Sequence, residues 1–422
     1  MSQERMDALE SRSDAERAAA LAIALPAQLR AALAVPAMAQ RLGDINPAAF
    51  TTQAALAALP VTRKSELLEL QKASRTADGS PFGGFSALGW RARAALRPAR
   101  RVFQSPGPIY EPEGAAADYW RVARAMFAAG LRSGDLIHNS FSYHLTPAGS
   151  MMETGAHALG CTVFPGGVGN TELQLQAVQE LQPDAYAGTP SFLRILVEKA
   201  EEAKLALPSL KKALVSGEAF PPSLRDWLAA RGINAYQAYA TADVGLIAYE
   251  TAAREGLVVD EGAIVEIVRP GTGIPVPEGE VGELVVTVLN ADYPLVRFGT
   301  GDLSAMLPGT CPTGRTNKRI KGWMGRADQT VKVRGMFVHP SQVAEVLRRH
   351  PEASRARLVV EGEMANDRMT LHAECAQAAE GLAQALAGSV RDVTKLRAEV
   401  MLAAPGSLPN DGKVIDDKRS LA

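Results

Sequence analysis

Between residues 135 and 239, short apolar runs alternate with helix-forming stretches, and this restricts the fold more tightly than any other feature. Residues 135–141, 161–164 (CTVF), 184–188, 211–216 (KKALVS) and 233–239 each read as a strand. Helical patterns separate them. Residues 172–181 place Leu173, Val178 and Leu181 at helical spacing. Thr189 and Pro190 supply an N-cap and a first-turn proline for SFLRILVEKAEEAK, and Pro221-Pro222 opens a helix that ends near Gly232. Strand and helix repeated in this order specify a parallel sheet with crossover helices. Ligands of such open sheets bind beyond the carboxyl ends of the strands. The segments after Ser216 and after Tyr239 are therefore the first places to look for chemistry.

The flanking sequence adds further units. A chain of 422 residues is long enough for two or three domains. After residue 256 the pattern turns to β: IVEIV and ELVVTVL flank a Gly/Pro cluster and predict an antiparallel hairpin. After residue 326 it turns again. VKVRG, a helix over 342–349, strands near 357–360 and 369–373, a helix near 378–386 and a strand near 397–402 predict a small α+β domain. The expected fold class is α/β. A large N-terminal domain (1–325), with a parallel α/β sheet and a β-rich subdomain, precedes a small C-terminal α+β domain (326–422). No low-complexity linker separates them, so the junction near 326–328 is expected to be a tight hinge.

Composition excludes several functions. Lys plus Arg number 45 against 46 Asp plus Glu, so no bulk positive charge is available for a nucleic-acid partner. Cys161, Cys311 and Cys375 lie too far apart for a disulfide framework or a CxxC clip, which fits a reducing cytoplasm. No run is long and apolar enough for a membrane span, and the charged N-terminus lacks the apolar core of a signal peptide.

Four segments carry groups suited to a nucleotide. Ser216-Gly217-Glu218 follows a strand, and its glycine permits close approach of a ligand to the backbone. Tyr239-Ala240-Thr241-Ala242-Asp243 offers, in a loop, an aromatic face, a hydroxyl and a carboxylate that can hold Mg²⁺. Gly299-Thr300-Gly301-Asp302 sets a carboxylate in a glycine turn, where it can accept both hydrogens of a ribose diol. Lys413, in the Gly/Pro tail, can bring a point charge onto a phosphate. The tail is not a P-loop: five residues separate Gly406 from Gly412, and Val414 stands where a Ser/Thr would hold Mg²⁺. No dinucleotide fingerprint, GxSxG elbow or HExxH is present.

In order, VSGEAF, YATADVG, PLVRFGTGDL, GRADQTVKVRG and SLPNDGK resemble the adenylate-forming superfamily of acyl-CoA synthetases. LPVTRKSEL, GLRSGDLIHNSFSYHL, FPGGVGNTELQ and GTPSFL narrow the similarity to the phenylacetate–CoA ligase family, over residues 55–419. The resemblance implies ATP-dependent activation of a small-molecule carboxylic acid, aryl or arylacetic, to an acyl-adenylate, followed by transfer to coenzyme A. The implied cofactors are ATP, Mg²⁺ and coenzyme A, and a homodimer is compatible with the family. By the same resemblance, Ser216, Gly217 and Glu218 lie along the adenine and Tyr239 stacks on it. Thr241 contacts the α-phosphate, Asp243 helps hold Mg²⁺, and Asp302, with Arg326, grips the ribose. Lys332 falls on the nucleotide side. Asp328 is the hinge, and Lys413 bridges carboxylate and α-phosphate. Phe141, Tyr143, Thr189 and Ser191 are assigned to the acid pocket.

The departures from the family bear on function. Where it has a loop of the form SSGTTGKP, this chain has residues 103–112, FQSPGPIYEP. Ser105 and Gly107 remain, two threonines and the lysine are gone, and three prolines remove amide donors. This segment is expected to bind triphosphate less well or in another way. Asp243 replaces a usual Glu. Some relatives carry zinc on three Cys and one His; here Thr251, Val258 and Thr313 occupy three of those positions beside Cys311, so no structural zinc is expected. The alternatives to a CoA ligase are a non-catalytic nucleotide- or acyl-CoA-binding relative, or an enzyme that adenylates and uses another acceptor.

Overall fold

The computed structural model describes residues 5–77, 79–90, 97–269, 272–324, 327, 329, 331–334, 336–338, 340–362, 367–376, 379–409 and 414–419. The chain forms two compact units, Met1–Gly325 and Arg326–Ala422.

The first unit begins with helix α1 (Asp14–Leu33), whose start is fixed by a capping box between Ser13 and Glu16. Its buried face, with Leu25, Leu29 and Ala32, belongs to the same core as Ile264, Ile267, Val286 and Phe298 of the β-rich region. Helix α2 (Lys64–Ala77) follows. Next comes a hairpin of β1 (Arg101–Ser105) and β2 (Ile109–Glu113), which pairs Ser105 with Ile109 and Arg101 with Glu113. The expected proline-stiffened loop is therefore an antiparallel hairpin. Pro112 sits in it opposite Val102, a place open to proline in a two-stranded ribbon that has only edges.

The predicted α/β region follows in order: β3 (Leu136–Asn139), α3 (Ala148–Ala158), β4 (Thr162–Pro165), α4 (Thr171–Leu181), β5 (Ala185–Gly188), α5 (Pro190–Glu202), β6 (Lys212–Val215), α6 (Pro222–Ala229) and β7 (Asn234–Thr241). The strands pair in parallel in the order β4-β3-β5-β6-β7. β5 is buried throughout and β6 almost so, as expected of parallel strands covered on both faces. Helix α4 buries Gln174, Leu175 and Val178, while Leu173 and Leu181 are exposed, so its apolar stripe is offset from the predicted one.

Beyond β7 the sheet becomes antiparallel. It continues through β8 (Gly245–Glu250), β9 (Leu257–Val259), β10 (Ala263–Val268), β11 (Val281–Val288), β12 (Phe298–Leu307) and β13 (Arg319–Ile320), with spatial order β10-β11-β12-β13-β9-β8-β7. Two sequence expectations change here. The 239–243 segment is not a loop after a strand: β7 runs through Thr241 and pairs antiparallel with β8, so residues 242–244 form a hairpin tip. The 299–302 segment is not a free turn but part of β12. Its pairing with β11 is irregular, with Glu283 opposite Leu303 but Val285 opposite Gly299. The surplus residues bulge at Gly301, whose φ of +72° suits glycine. Thr300 donates its hydroxyl to Leu284 O (2.9 Å) across the bulge.

Arg297 ties these layers together. It pairs through two nitrogens with Glu266 (3.0 Å each) and donates to Leu59 O (2.5 Å) and Gly273 O (2.7 Å), almost wholly buried.

In the second unit, β14 (Val331–Val333) and β15 (Met336–Val338) form a hairpin. Helix α7 (Pro340–Arg349), β16 (Ala353–Glu361), β17 (Arg368–Cys375), α8 (Leu382–Thr394), β18 (Glu399–Ala403) and β19 (Ile415–Asp417) complete it, with sheet order β18-β17-β16-β19. The second helix starts four residues later than the sequence suggests and continues to Thr394. Gly381, left-handed at φ +81°, precedes it.

Candidate active site

The parallel registers align the carboxyl ends of the strands. Asn139 pairs with Ala187, Gly188 with Val215, and Val215 with Gln237. The segments that follow these ends therefore crowd one edge of the sheet. Gly217 is left-handed (φ +81°), and a Cβ there would lie 3.8 Å from the Phe141 ring and 3.9 Å from the Thr189 methyl. Thr189 caps α5 by accepting the Phe192 N–H (3.3 Å), and its hydroxyl lies 3.3 Å from Ser191. Ser191 donates to Glu218 (2.5 Å). Phe141, Thr189, Ser191 and the 216–218 turn thus form one continuous surface. Ser216 itself points back into the sheet and donates to Ala238 O (2.7 Å). Tyr143 accepts from Asn139 (2.8 Å), and burial pushes its phenol well above the ordinary range.

The 239–243 and 299–302 segments meet directly, through a pair 63 residues apart in sequence. The Tyr239 hydroxyl donates to Asp302 Oδ2 at 2.6 Å. The Trp323 indole N–H donates to Asp302 Oδ1 at 3.1 Å. Asp302 is 8 % exposed and held at both oxygens, so its orientation is set before any ligand arrives. Thr241 accepts the Val244 N–H (3.3 Å), which stabilises the hairpin tip.

Asp243, within this tip, has a buried side chain. Its Oδ2 accepts from Lys64 Nζ at 2.9 Å, at the start of α2. Glu111 of β2 lies beside it, fully buried. Burial, and then the charge of Asp243, hold the Glu111 carboxyl well above its usual range, against the pull of Lys64 and Ser105. Ser105 donates to Glu111 Oε1. The rebuilt hairpin therefore faces the Asp243 end of the site. Glu111 Oε2, Asp243 Oδ1 and the Tyr293 hydroxyl are buried with no hydrogen-bond partner among the described residues. Such orphaned oxygens fit a divalent cation, which takes one or two carboxylates and completes its shell with water and phosphate.

Sequence reasoning missed Lys64, Glu111 and Trp323. LPVTRKSEL and the 103–112 segment were legible signals for the first two; nothing local marked Trp323. Arg326, Asp328 and Lys413 lie outside the described residues, and Lys332, in β14, outside the described side chains. At the position of the zinc site of some relatives, Thr251 Oγ1 lies 3.3 Å from Cys311 Sγ, which lies 3.1 Å from Thr313 Oγ1. One thiol and two hydroxyls bonded to one another do not fit a thiolate/imidazole zinc site.

Residues 119–288 match the AMP-binding enzyme family model, and residues 335–419 the AMP-binding enzyme C-terminal domain. The phenylacetate-coenzyme A ligase of Aromatoleum evansii is 32% identical over 346 residues, covering 78% of this chain and 74% of that protein. That of Pseudomonas putida is 31% identical over 414 residues, covering 91% and 90%. The chain belongs to the phenylacetate–CoA ligase family. Members of this family are AMP-forming acid–thiol ligases. The fold agrees: a crystal structure of 2-hydroxyisobutyryl-CoA ligase with 2-HIB-AMP and CoA superposes with a TM-score of 0.78 at 25% identity, covering 98% of this chain and 92% of that one. The first family match begins after the 101–113 hairpin. Among the described residues, no single helix is long and apolar enough to cross a membrane.

Proposed function

We propose that this protein activates an aryl or arylacetic acid with ATP and transfers the acyl group to coenzyme A. In the first step a carboxylate oxygen attacks the α-phosphorus and pyrophosphate leaves. In the second the CoA sulfur attacks the acyl carbon and AMP leaves. The observation that carries this reading is the Tyr239–Asp302–Trp323 constellation, at the carboxyl edge of the sheet, in a chain of this family.

In this reading Asp302 accepts the ribose hydroxyls, Tyr239 presents its ring to the adenine, and Ser216–Glu218 line it. Thr241 faces the α-phosphate. Phe141, Tyr143, Thr189 and Ser191 bound the acid. Arg326 and Lys332 complete the nucleotide side, Asp328 is the pivot of the small domain, and Lys413 brings positive charge to the reacting carboxylate. Positioning of the two reactants and neutralisation of charge account for the catalysis. Mg²⁺ at Asp243 would offset phosphate charge. The protein acts in the cytoplasm, and a homodimer is compatible with this reading.

The test is AMP release from ATP, Mg²⁺ and CoA with a panel of arylacetic and benzoic acids. Acid-dependent AMP is expected; none with any acid, from folded protein, overturns the reading. The hairpin in place of a phosphate-gripping loop favours one second reading, a nucleotide- or acyl-CoA-binding protein without turnover. Tight AMP binding by calorimetry without acid-dependent pyrophosphate exchange would establish it. Acid-dependent AMP release that needs no CoA would instead mark another acyl acceptor.

A further inference from the structure

The hairpin places a carboxylate where the family loop carries a lysine. Glu111 is 0 % exposed and Asp243 is 4 % exposed. Each keeps one oxygen bound, Glu111 to Ser105 and Asp243 to Lys64, and one oxygen without a partner. The Tyr293 hydroxyl, also buried, is a third polar atom left without a partner in this part of the core. A buried carboxylate oxygen with no donor costs several kcal/mol (about 1–3, more when charged) unless something satisfies it in the working state. Here two such oxygens belong to neighbouring carboxylates.

Charge identifies what satisfies them. With both carboxylates ionised, Glu111, Asp243 and Lys64 carry one net negative charge, which repels a triphosphate. A divalent cation shared by the two acids reverses that to one net positive charge. Only then does a hairpin short of amide donors and lacking the loop lysine become attractive to phosphate. A proton in place of the cation would remove the repulsion but supply no attraction.

We propose that Glu111 and Asp243 jointly hold one divalent cation in the nucleotide-free enzyme, with Glu111 replacing the phosphate-loop lysine by a bound metal charge. This rests on the ligase reading for what the metal serves, but the metal site itself is tested without turnover. One carboxylate alone leaves a divalent cation dependent on phosphate for its remaining charged ligands; two carboxylates let this chain take the metal first. Lys64, which shares Asp243, competes with the cation for it.

The experiment titrates the full chain, free of nucleotide, with Mn²⁺, counting unbound metal by electron paramagnetic resonance. One Mn²⁺ per chain is expected. Glu111→Gln and Asp243→Asn should each weaken it by about tenfold or more. Lys64→Met should tighten it. Glu111→Gln is isosteric and neutral, so its melting temperature without metal should hold or rise, while the Mg²⁺-induced rise expected of the wild type should vanish. Failure of the wild type to take up Mn²⁺, or equal affinity in Glu111→Gln, overturns the inference. AMP release by the same wild-type sample separates the two claims. Activity without metal binding in the absence of nucleotide overturns only this inference. Metal binding without acid-dependent AMP supports the site and overturns the ligase reading.

Discussion

Asp302→Asn isolates the ribose contact. The carboxylate is 8 % exposed and held at one oxygen by Tyr239 and at the other by Trp323, so its charge is little screened and its orientation fixed. A carboxylate oxygen has more than one lone pair, and in the ligase reading both oxygens also accept the ribose hydroxyls. Hydrogen bonds to a charged acceptor contribute about 1.5–3 kcal/mol each, against about 0.5–1.5 for a neutral one. Over two hydroxyls the substitution should cost about 2–3 kcal/mol, or about 30–150-fold in affinity. An amide also leaves one of the two protein donors facing an NH₂ group, so a local disturbance must be subtracted. The cycle does this: AMP and 2′,3′-dideoxy-AMP are titrated by calorimetry into wild type and variant. Wild type should prefer AMP, and the variant's preference should be smaller by that factor. If Asp302→Asn weakens both ligands equally and still discriminates between them, Asp302 supports the fold and does not grip ribose.

Other outcomes follow from the same site and scaffold. Lys413→Ala should cripple acyl-adenylate formation yet spare thioester formation from a supplied adenylate; equal loss of both steps in rapid-quench assays contradicts its role. Arg297→Met strands Glu266 in the core and releases Leu59 and Gly273, so urea unfolding should show a loss of about 3–5 kcal/mol; a loss under 1 kcal/mol refutes the pairing as a scaffold element. Burial pushes Asp118 from the ordinary 3.8 up to about 6, although it accepts the N–H groups of Val122 and Ala123. A raised carboxyl makes the folded state hold its proton longer than the unfolded chain, so stability falls as pH climbs from about 4 to about 6 and is level above. Asp118→Asn should therefore gain on wild type by about 3 kcal/mol across that window, and a pH-independent difference in unfolding free energy would contradict it.

The parallel half of the fold was legible because its strands are short apolar runs separated by helical stretches, the central ones buried, and Thr189 caps its helix as its sequence implies. The antiparallel half was less so. Tyr239–Thr241 and Gly299–Asp302 carry glycine and small residues that locally signal turns, yet their backbones pair with β8 and β11, so the first turn falls just past Thr241 and the second becomes a bulge within a strand. The offset of α4 has the same origin: Leu173 and Leu181 keep helical period, but tertiary packing selects the face with Gln174, Leu175 and Val178. For the site, residue chemistry pointed to Tyr239, Asp243 and Asp302. Their mutual placement, and the presence of Lys64, Glu111 and Trp323 among them, depended on strand order that no local pattern encodes. Glu111 was hardest to see, because the 103–112 segment read as a loop that had lost cations, while the hairpin turns one of its side chains into the core beside Asp243.

Oxygen tracing tests the central account most directly. The enzyme is given ATP, CoA and an arylacetic acid labelled with ¹⁸O in both carboxylate oxygens, and the products are read by mass spectrometry. Passage through an acyl-adenylate leaves one labelled oxygen on the phosphate of AMP. Label in inorganic phosphate with ADP as co-product, or unlabelled AMP beside the thioester, would contradict attack of the acid on the α-phosphorus.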